Sequence, residues 1–460
     1  VRTRAAPVTP FDPEDDRVPD GCPFAELYAP EFHRDPQRVY QRIRDAYGPA
    51  APVMIEPGVR GWLVIDYATI IAWCRDTETF SRDARRWSDW RDGLVSDDAG
   101  VLGMMEHRPN VLFADGDEHQ RLRRAVTDSL GRIDSADIGA YTARAAEALI
   151  DGICQLGEAD LVEEYARVLP LLVMNRVFGF DEDSGKRFIT ALSAMIDAVD
   201  SERANAELER VVSQVIARKR KEPGEDATSW LMEHRADLSD EEVLQHLVLI
   251  VGAGIEPTAD LIGNAVRMIL TDHDFRDGIT EGRMDIEDAL EHVLWHDPPM
   301  IGYPVMYPVS DVALPNGSVM PAGSPVLLGY AAANQSMAGA PSEEEAAGTA
   351  NRAHLSFGVG PHRCPAQDLA MMIASTALKA LLRRLPGMRL AADAADLEWR
   401  TSPFSRSLTR LPVSFPPQTP TQEEAPWKES SLPPDSGPGE SAFPARATLS
   451  DLLSMLRRRR

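Results

Sequence analysis

Between residues 135 and 270 the apolar residues recur at helical spacing in one long stretch after another, which constrains the chain to a mainly helical fold. The stretches run over 135–156, 161–178, 184–200, 202–221 and 241–270. β-like segments are short by comparison. Gly-Trp-Leu-Val-Ile-Asp at 61–66 reads as a strand leading into a helix over 67–76. After Met300 short apolar runs alternate with turns, as in Asp-Val-Ala-Leu-Pro-Asn-Gly-Ser-Val-Met-Pro at 311–321. There is no internal repeat, and 25–415 reads as a single large domain, mainly α with a minor β portion.

The flanks differ in composition. Residues 1–24 are rich in Pro and Asp and read as a flexible arm, and 416–447, dominated by Pro, Ser, Glu and Gly, read as a disordered linker. In 448–460, Leu449, Leu452, Leu453 and Leu456 form one helical stripe ahead of a run of arginines. That pattern suits a short helix docking on a protein or a membrane surface, with a frayed tail as the plainer reading.

Charge and cysteines narrow the function. A formal net charge of −24 argues against nucleic acid as a partner. No apolar run reaches the roughly 18 residues that read as a transmembrane segment. Cys22, Cys74, Cys154 and Cys364 are scattered, with no Cys-x-x-Cys pair, so a reducing cytoplasm is expected rather than a disulfide framework.

The chemistry concentrates at 357–366, Phe-Gly-Val-Gly-Pro-His-Arg-Cys-Pro-Ala. Gly358 and Gly360 permit a tight turn where a side chain would collide with a flat ligand. Cys364 stands at the start of a helical pattern, where free amide groups and the helix dipole favour a thiolate. His362 and Arg363 are expected to add positive charge beside it.

These residues resemble the haem-binding sequence of the cytochrome P450 superfamily, Phe-x-x-Gly-x-x-x-Cys-x-Gly. Phe357, Gly360 and Cys364 match, and Ala366 replaces the last glycine. The resemblance implies the P450 fold and haem b (iron protoporphyrin IX). It makes Cys364 the iron ligand, packs Phe357 beside the sulfur and gives His362 to a haem propionate. The stretch 113–124 opens with a capping-box arrangement, Asp115 and Glu118, and sets His119 and Arg123 four residues apart on one helix face. By the same resemblance His119 and Arg123 are a propionate pair.

The long pattern at 241–270 contains Gly252, Gly254 and Pro257, each a helix weakener, and is expected to break in its middle. It resembles the family's central helix: Ala253 and Gly254 match the small residues that leave room for O₂, and Glu256 matches the acid. Where the family has a threonine that steers protons during oxygen cleavage, this chain has Pro257, and Thr258 follows, rotated by about 100°. Glu256 and Thr258 are the catalytic candidates.

Three supporting positions depart from the family as well. Aligned on Asp297-Pro-Pro299, the usual Glu-x-x-Arg falls on His292 and Trp295, so its buried ion pair is not expected to form. Glu291 and Trp295 instead resemble the Glu-x-x-x-Trp of an atypical actinobacterial subgroup. Met306 occupies a position where an arginine commonly binds a propionate.

The resemblance implies a haem-thiolate monooxygenase that inserts one oxygen atom from O₂ into a small organic substrate. No flavin or iron–sulfur motif is present, so electrons are expected from a separate ferredoxin and ferredoxin reductase. A haem-binding regulatory or interaction protein with weak or no oxygenase activity is the alternative, motivated by Pro257, the missing Glu-x-x-Arg pair and the C-terminal tail.

Overall fold

The computed structural model describes residues 25–196, 201–336 and 351–421. The expected arm at 1–24 and tail at 448–460, with nearly all of the expected linker, lie outside them. Residues 416–421 are tied to the fold by hydrogen bonds: the Gln418 N–H donates to the Cys154 carbonyl at 2.8 Å, and the Thr421 N–H donates to Asp151 at 3.1 Å. The folded unit therefore runs past 415.

Four of the five long helical patterns become single helices, and local chemistry sets helix ends. Asp134 caps Ser135–Ile153 by accepting from the Ala136 and Asp137 amides. Gly179, in the left-handed conformation, ends Val168–Phe178. The pattern at 161–178 is not one regular helix. A π-helical turn, Val162–Ala166, precedes Val168–Phe178, and the fully buried Tyr165 hydroxyl there donates to the Ala377 carbonyl at 2.9 Å. The central helix, Asp240–Thr271, starts at a capping box formed by Ser239 and Glu242.

That helix is continuous, contrary to the expected break. Pro257 sits inside it. A proline removes one intrahelical hydrogen bond, but the helices Val168–Phe178, Ser201–Lys221, Ile286–His296 and Gln367–Arg384 all pack on this one and hold it through the defect. It is also the one helix among the described residues long and apolar enough to cross a membrane; 67% of its most apolar window is buried in the protein core.

The β portion is minor, as expected. The largest sheet has strands in the order Ala25–Glu26, Ala50–Glu56, Val59–Val64, Val326–Leu328, Val305–Pro308 and Phe80–Ser81. Val312–Ala313 and Val319–Met320 form the hairpin read at 311–321. One large apolar core lies among the helices, and two smaller ones flank the sheet. The cysteine loop runs between these two regions, bounded by Tyr67–Arg75 from the sheet side and by Gln367–Arg384 from the helical body.

Candidate functional site

The cysteine loop turns on two glycines with positive φ, 73° at Gly358 and 75° at Gly360. A Cβ on Gly360 would lie 2.8 Å from the Cys74 carbonyl oxygen, so the loop presses on the Tyr67–Arg75 helix where only glycine fits. The turn closes when the Cys364 N–H donates to the Phe357 carbonyl at 2.8 Å. The Ala366 N–H then donates to the Cys364 sulfur at 3.4 Å.

Burial pushes the Cys364 thiol up; the Ala366 amide, Arg123 and Arg363 oppose that and do not overcome it. The expectation that helix dipole and neighbouring charge alone favour a thiolate is thereby corrected. The helix begins only at Gln367, and the bare thiol keeps its proton. A metal cation held by the sulfur would favour its deprotonated form.

His119 and His362 meet beside this loop with ring centroids 4.1 Å apart. Arg123 joins them, donating from Nη2 to the Arg363 carbonyl at 2.5 Å. His362 is not the positive charge the sequence suggested. Burial first, then Arg82, hold its pKa well below the ordinary value, and burial and Arg123 lower that of His119. Both rings are neutral at pH 7. The expected capping box fails too: Asp115 makes no side-chain cap, and its carboxylate accepts the Arg82 N–H at 2.9 Å and the Ser81 hydroxyl at 2.6 Å.

One atom tests whether this cluster fits a haem. His119 is 5% exposed, and its Nε2 has no hydrogen-bond partner among the described residues. An unpaired polar atom in a cluster with a cationic arginine calls for an anionic or polar ligand. A haem carboxylate meets that need, so the residues present fit the cofactor.

On the central helix, Val251, Ile255, Glu256 and Thr258 are buried, whereas Ala253 is exposed and Gly252, Gly254 and Pro257 are half-buried. The small residues therefore share the open face. On a regular helix the amide of residue 257 would donate to the Ala253 carbonyl; proline leaves that acceptor without its helical donor. Gly254 answers a second demand, since a Cβ there would come within 2.8 Å of the Met174 sulfur. Thr258 is 3% exposed and packs into the core, away from the Ala253 face. Glu256 accepts from Arg400 at 3.1 Å in a buried pair, an arginine the sequence reading missed.

His292 and Trp295 on the Ile286–His296 helix offer no Glu-x-x-Arg pair, and Glu291 there takes a different partner. Glu291 is 5% exposed and pairs with His354 Nε2 at 2.9 Å. The Ser356 amide donates to His354 Nδ1 at 3.2 Å, which leaves Nε2 as the donor toward Glu291. Arg352 Nε lies 3.6 Å from the same carboxylate but is 63% exposed, where an ion pair contributes little. Trp295 completes the join, its Nε1 donating to the Asn351 carbonyl at 2.6 Å. Asn334 stitches the same region, donating to the Leu294 carbonyl at 2.9 Å and accepting the Leu355 N–H at 2.8 Å. His292 is excluded from this network; burial, then His296, lower its pKa to about 4.

The comparisons with known proteins agree with this architecture. No protein-family model matches the chain. The vitamin D(3) 25-hydroxylase of Pseudonocardia autotrophica is 30% identical over 402 residues, covering 86% of this chain and 97% of that protein. The cytochrome P450 monooxygenase PikC of Streptomyces venezuelae is 30% identical over 400 residues, 84% of this chain and 92% of that protein. Among solved structures, CYP154A1 of Streptomyces coelicolor superposes with a TM-score of 0.72 at 31% identity, covering 83% of this chain and 98% of that one. CYP154C4 of Streptomyces sp. W2061 gives 0.77 at 27% identity, with 85% and 97% covered. Identity at that level over 86% of the chain, on one shared fold, shows that it belongs to the bacterial cytochrome P450 family of haem monooxygenases.

Proposed function

We propose that the chain is a haem-thiolate monooxygenase in which Cys364 ligates the iron of haem b, with His119, Arg123 and His362 around the propionates. Electrons come from a ferredoxin and its reductase in a cytoplasmic setting. Relatives named as hydroxylases of vitamin D(3) and of 6-deoxyerythronolide B support hydroxylation of an organic substrate as the reaction. The Glu291–Trp295 spacing supports membership of the atypical Glu-x-x-x-Trp subgroup.

The observation that carries the reading is the cysteine loop, in which two positive-φ glycines present a sulfur that accepts the Ala366 amide. When bound, the haem supplies the oxygen chemistry. The protein's own residues do the rest. The Ala366 N–H draws charge from the sulfur and so tunes its donation. Arg123 places a cation at the propionate edge. Ala253 keeps the open face of the central helix low, Gly254 lets that helix pack against Met174, and Glu256 is held by Arg400.

The test is the carbon monoxide spectrum of the reduced protein. The parent is expected to give the haem-thiolate absorption and Cys364→Ser to lose it while keeping its helical content; a parent without that absorption refutes the assignment.

One observation favours the second reading, a haem-binding protein of weak oxygenase output. Pro257 replaces the hydroxyl beside Glu256, and Thr258 packs into the core instead of supplying one. With donors and a working substrate, Pro257→Thr is expected to raise the ratio of product to peroxide several-fold. An unchanged ratio removes Pro257 as the cause of any weak output.

A further inference from the structure

Arg82 is a buried cation with no carboxylate against its guanidinium among the described residues. The residue is 4% exposed. Its Nη1 donates to the Val305 carbonyl at 3.0 Å, its Nη2 reaches the Cys74 sulfur at 3.9 Å, and it hydrogen-bonds the Tyr330 hydroxyl. Burial raises the pKa of both Cys74 and Tyr330, so all three acceptors are uncharged at pH 7. Asp115 is near, but its carboxylate accepts the Arg82 backbone N–H and the Ser81 hydroxyl and stands 4.0 Å from His362 Nε2. The other deeply placed arginines behave differently: Arg400 pairs with Glu256, Arg406 with Asp297, and Arg384 with Glu147 and Asp151. A guanidinium taken out of water without a counter-ion is costly, so Arg82 calls for an anion that the described residues do not provide.

Its surroundings identify that anion. The two residues whose side chains it touches line the cysteine loop: a Cβ on Gly360 would lie 2.8 Å from the Cys74 backbone carbonyl oxygen, and one on Gly358 would lie 3.4 Å from the Tyr330 hydroxyl. The charge of Arg82 also reaches His119 and His362 and depresses both. On the strand ladder Ser81 opposes Tyr307, which brings Arg82 opposite Met306. Met306 is 2% exposed and apolar, at the position where the family resemblance expects a propionate-binding arginine.

We propose that Arg82 supplies from the neighbouring strand the cation that Met306 lacks, and binds a haem propionate by a charge-assisted hydrogen bond. This inference rests on the haem reading above. A cation moved across one ladder step approaches the same carboxylate from the opposite strand, and the family arginine becomes dispensable.

The experiment uses the full chain, stripped and reconstituted with haem or with haem dimethyl ester, whose propionates carry no charge. Loss of cofactor to an excess of a scavenging apo-globin is then timed. Arg82→Met is expected to lose haem about tenfold faster than the parent. Adding Met306→Arg to Arg82→Met is expected to restore most of the retention. With the dimethyl ester, parent and Arg82→Met are expected to lose cofactor at the same rate, because the carboxylate that distinguishes them is gone. Equal acceleration with haem and with ester would show that Arg82 only supports the fold and would overturn the proposal, as would unaltered haem retention in Arg82→Met. A parent that takes up neither cofactor overturns the haem reading itself, a result distinct from failure of the Arg82 assignment.

Discussion

Asp260 lies one turn beyond Glu256 on the central helix, 7% exposed, with its carboxyl pushed up to about 8 by burial and by the Glu256 charge. Folded Asp260 holds a proton that the unfolded chain, with a pKa of 3.8, has released over most of that interval. A raised carboxyl pKa makes stability fall as pH climbs from about 4 to about 8. Asp260→Asn removes this term, so its melting temperature relative to the parent is expected to rise between about pH 5 and about pH 8. A pH-independent difference between the two would show that the Asp260 proton is not linked to folding. The resemblance to the P450 family singled out Cys364, His119, Arg123 and Glu256, because each lies in a short sequence motif. Arg400, His354 and Arg82 were not legible, since each acts on a partner far away in sequence: 144 residues in the Arg400–Glu256 pair and 63 in the His354–Glu291 pair.

Elements were legible where a period repeats and illegible where packing overrules propensity. The glycines and proline at 252–257 predicted a broken helix, and the packed neighbours of the central helix kept it whole. The Ile286–His296 helix shows a related effect. Counting residues removed the Glu-x-x-Arg pair, yet the fold presents Glu291 to His354 and Trp295 to the Asn351 carbonyl, so the join to the cysteine-loop segment is rebuilt from different chemistry. Glu291→Ala strands the buried His354 Nε2 and is expected to cost about 1–3 kcal/mol, against about 1 kcal/mol for Trp295→Phe, which loses one hydrogen bond but keeps its packing. Urea denaturation midpoints give both values. Equal costs would mean that the histidine–glutamate pair contributes no more than the indole does.

For the molecule as a whole, the expected unit at 25–415 proves slightly short. Gln418 and Thr421 tie the segment after Phe415 to Cys154 and Asp151, and Arg384 also reaches the Thr421 hydroxyl at 3.1 Å. Truncation after Thr421 is therefore expected to leave the thermal midpoint unchanged, whereas truncation after Phe415 lowers it by a few degrees. A common midpoint for the two would make residues 416–421 passive. The sequence by itself determined the helical architecture, the cysteine loop and the family, because periodicity, turn glycines and short motifs are written in neighbouring residues. Tertiary structure alone decided which charges are buried, which carboxylate meets which arginine, and which polar atoms at the cysteine loop are left for a ligand. Those outcomes depend on distance and solvent exclusion between segments that only the completed fold brings together.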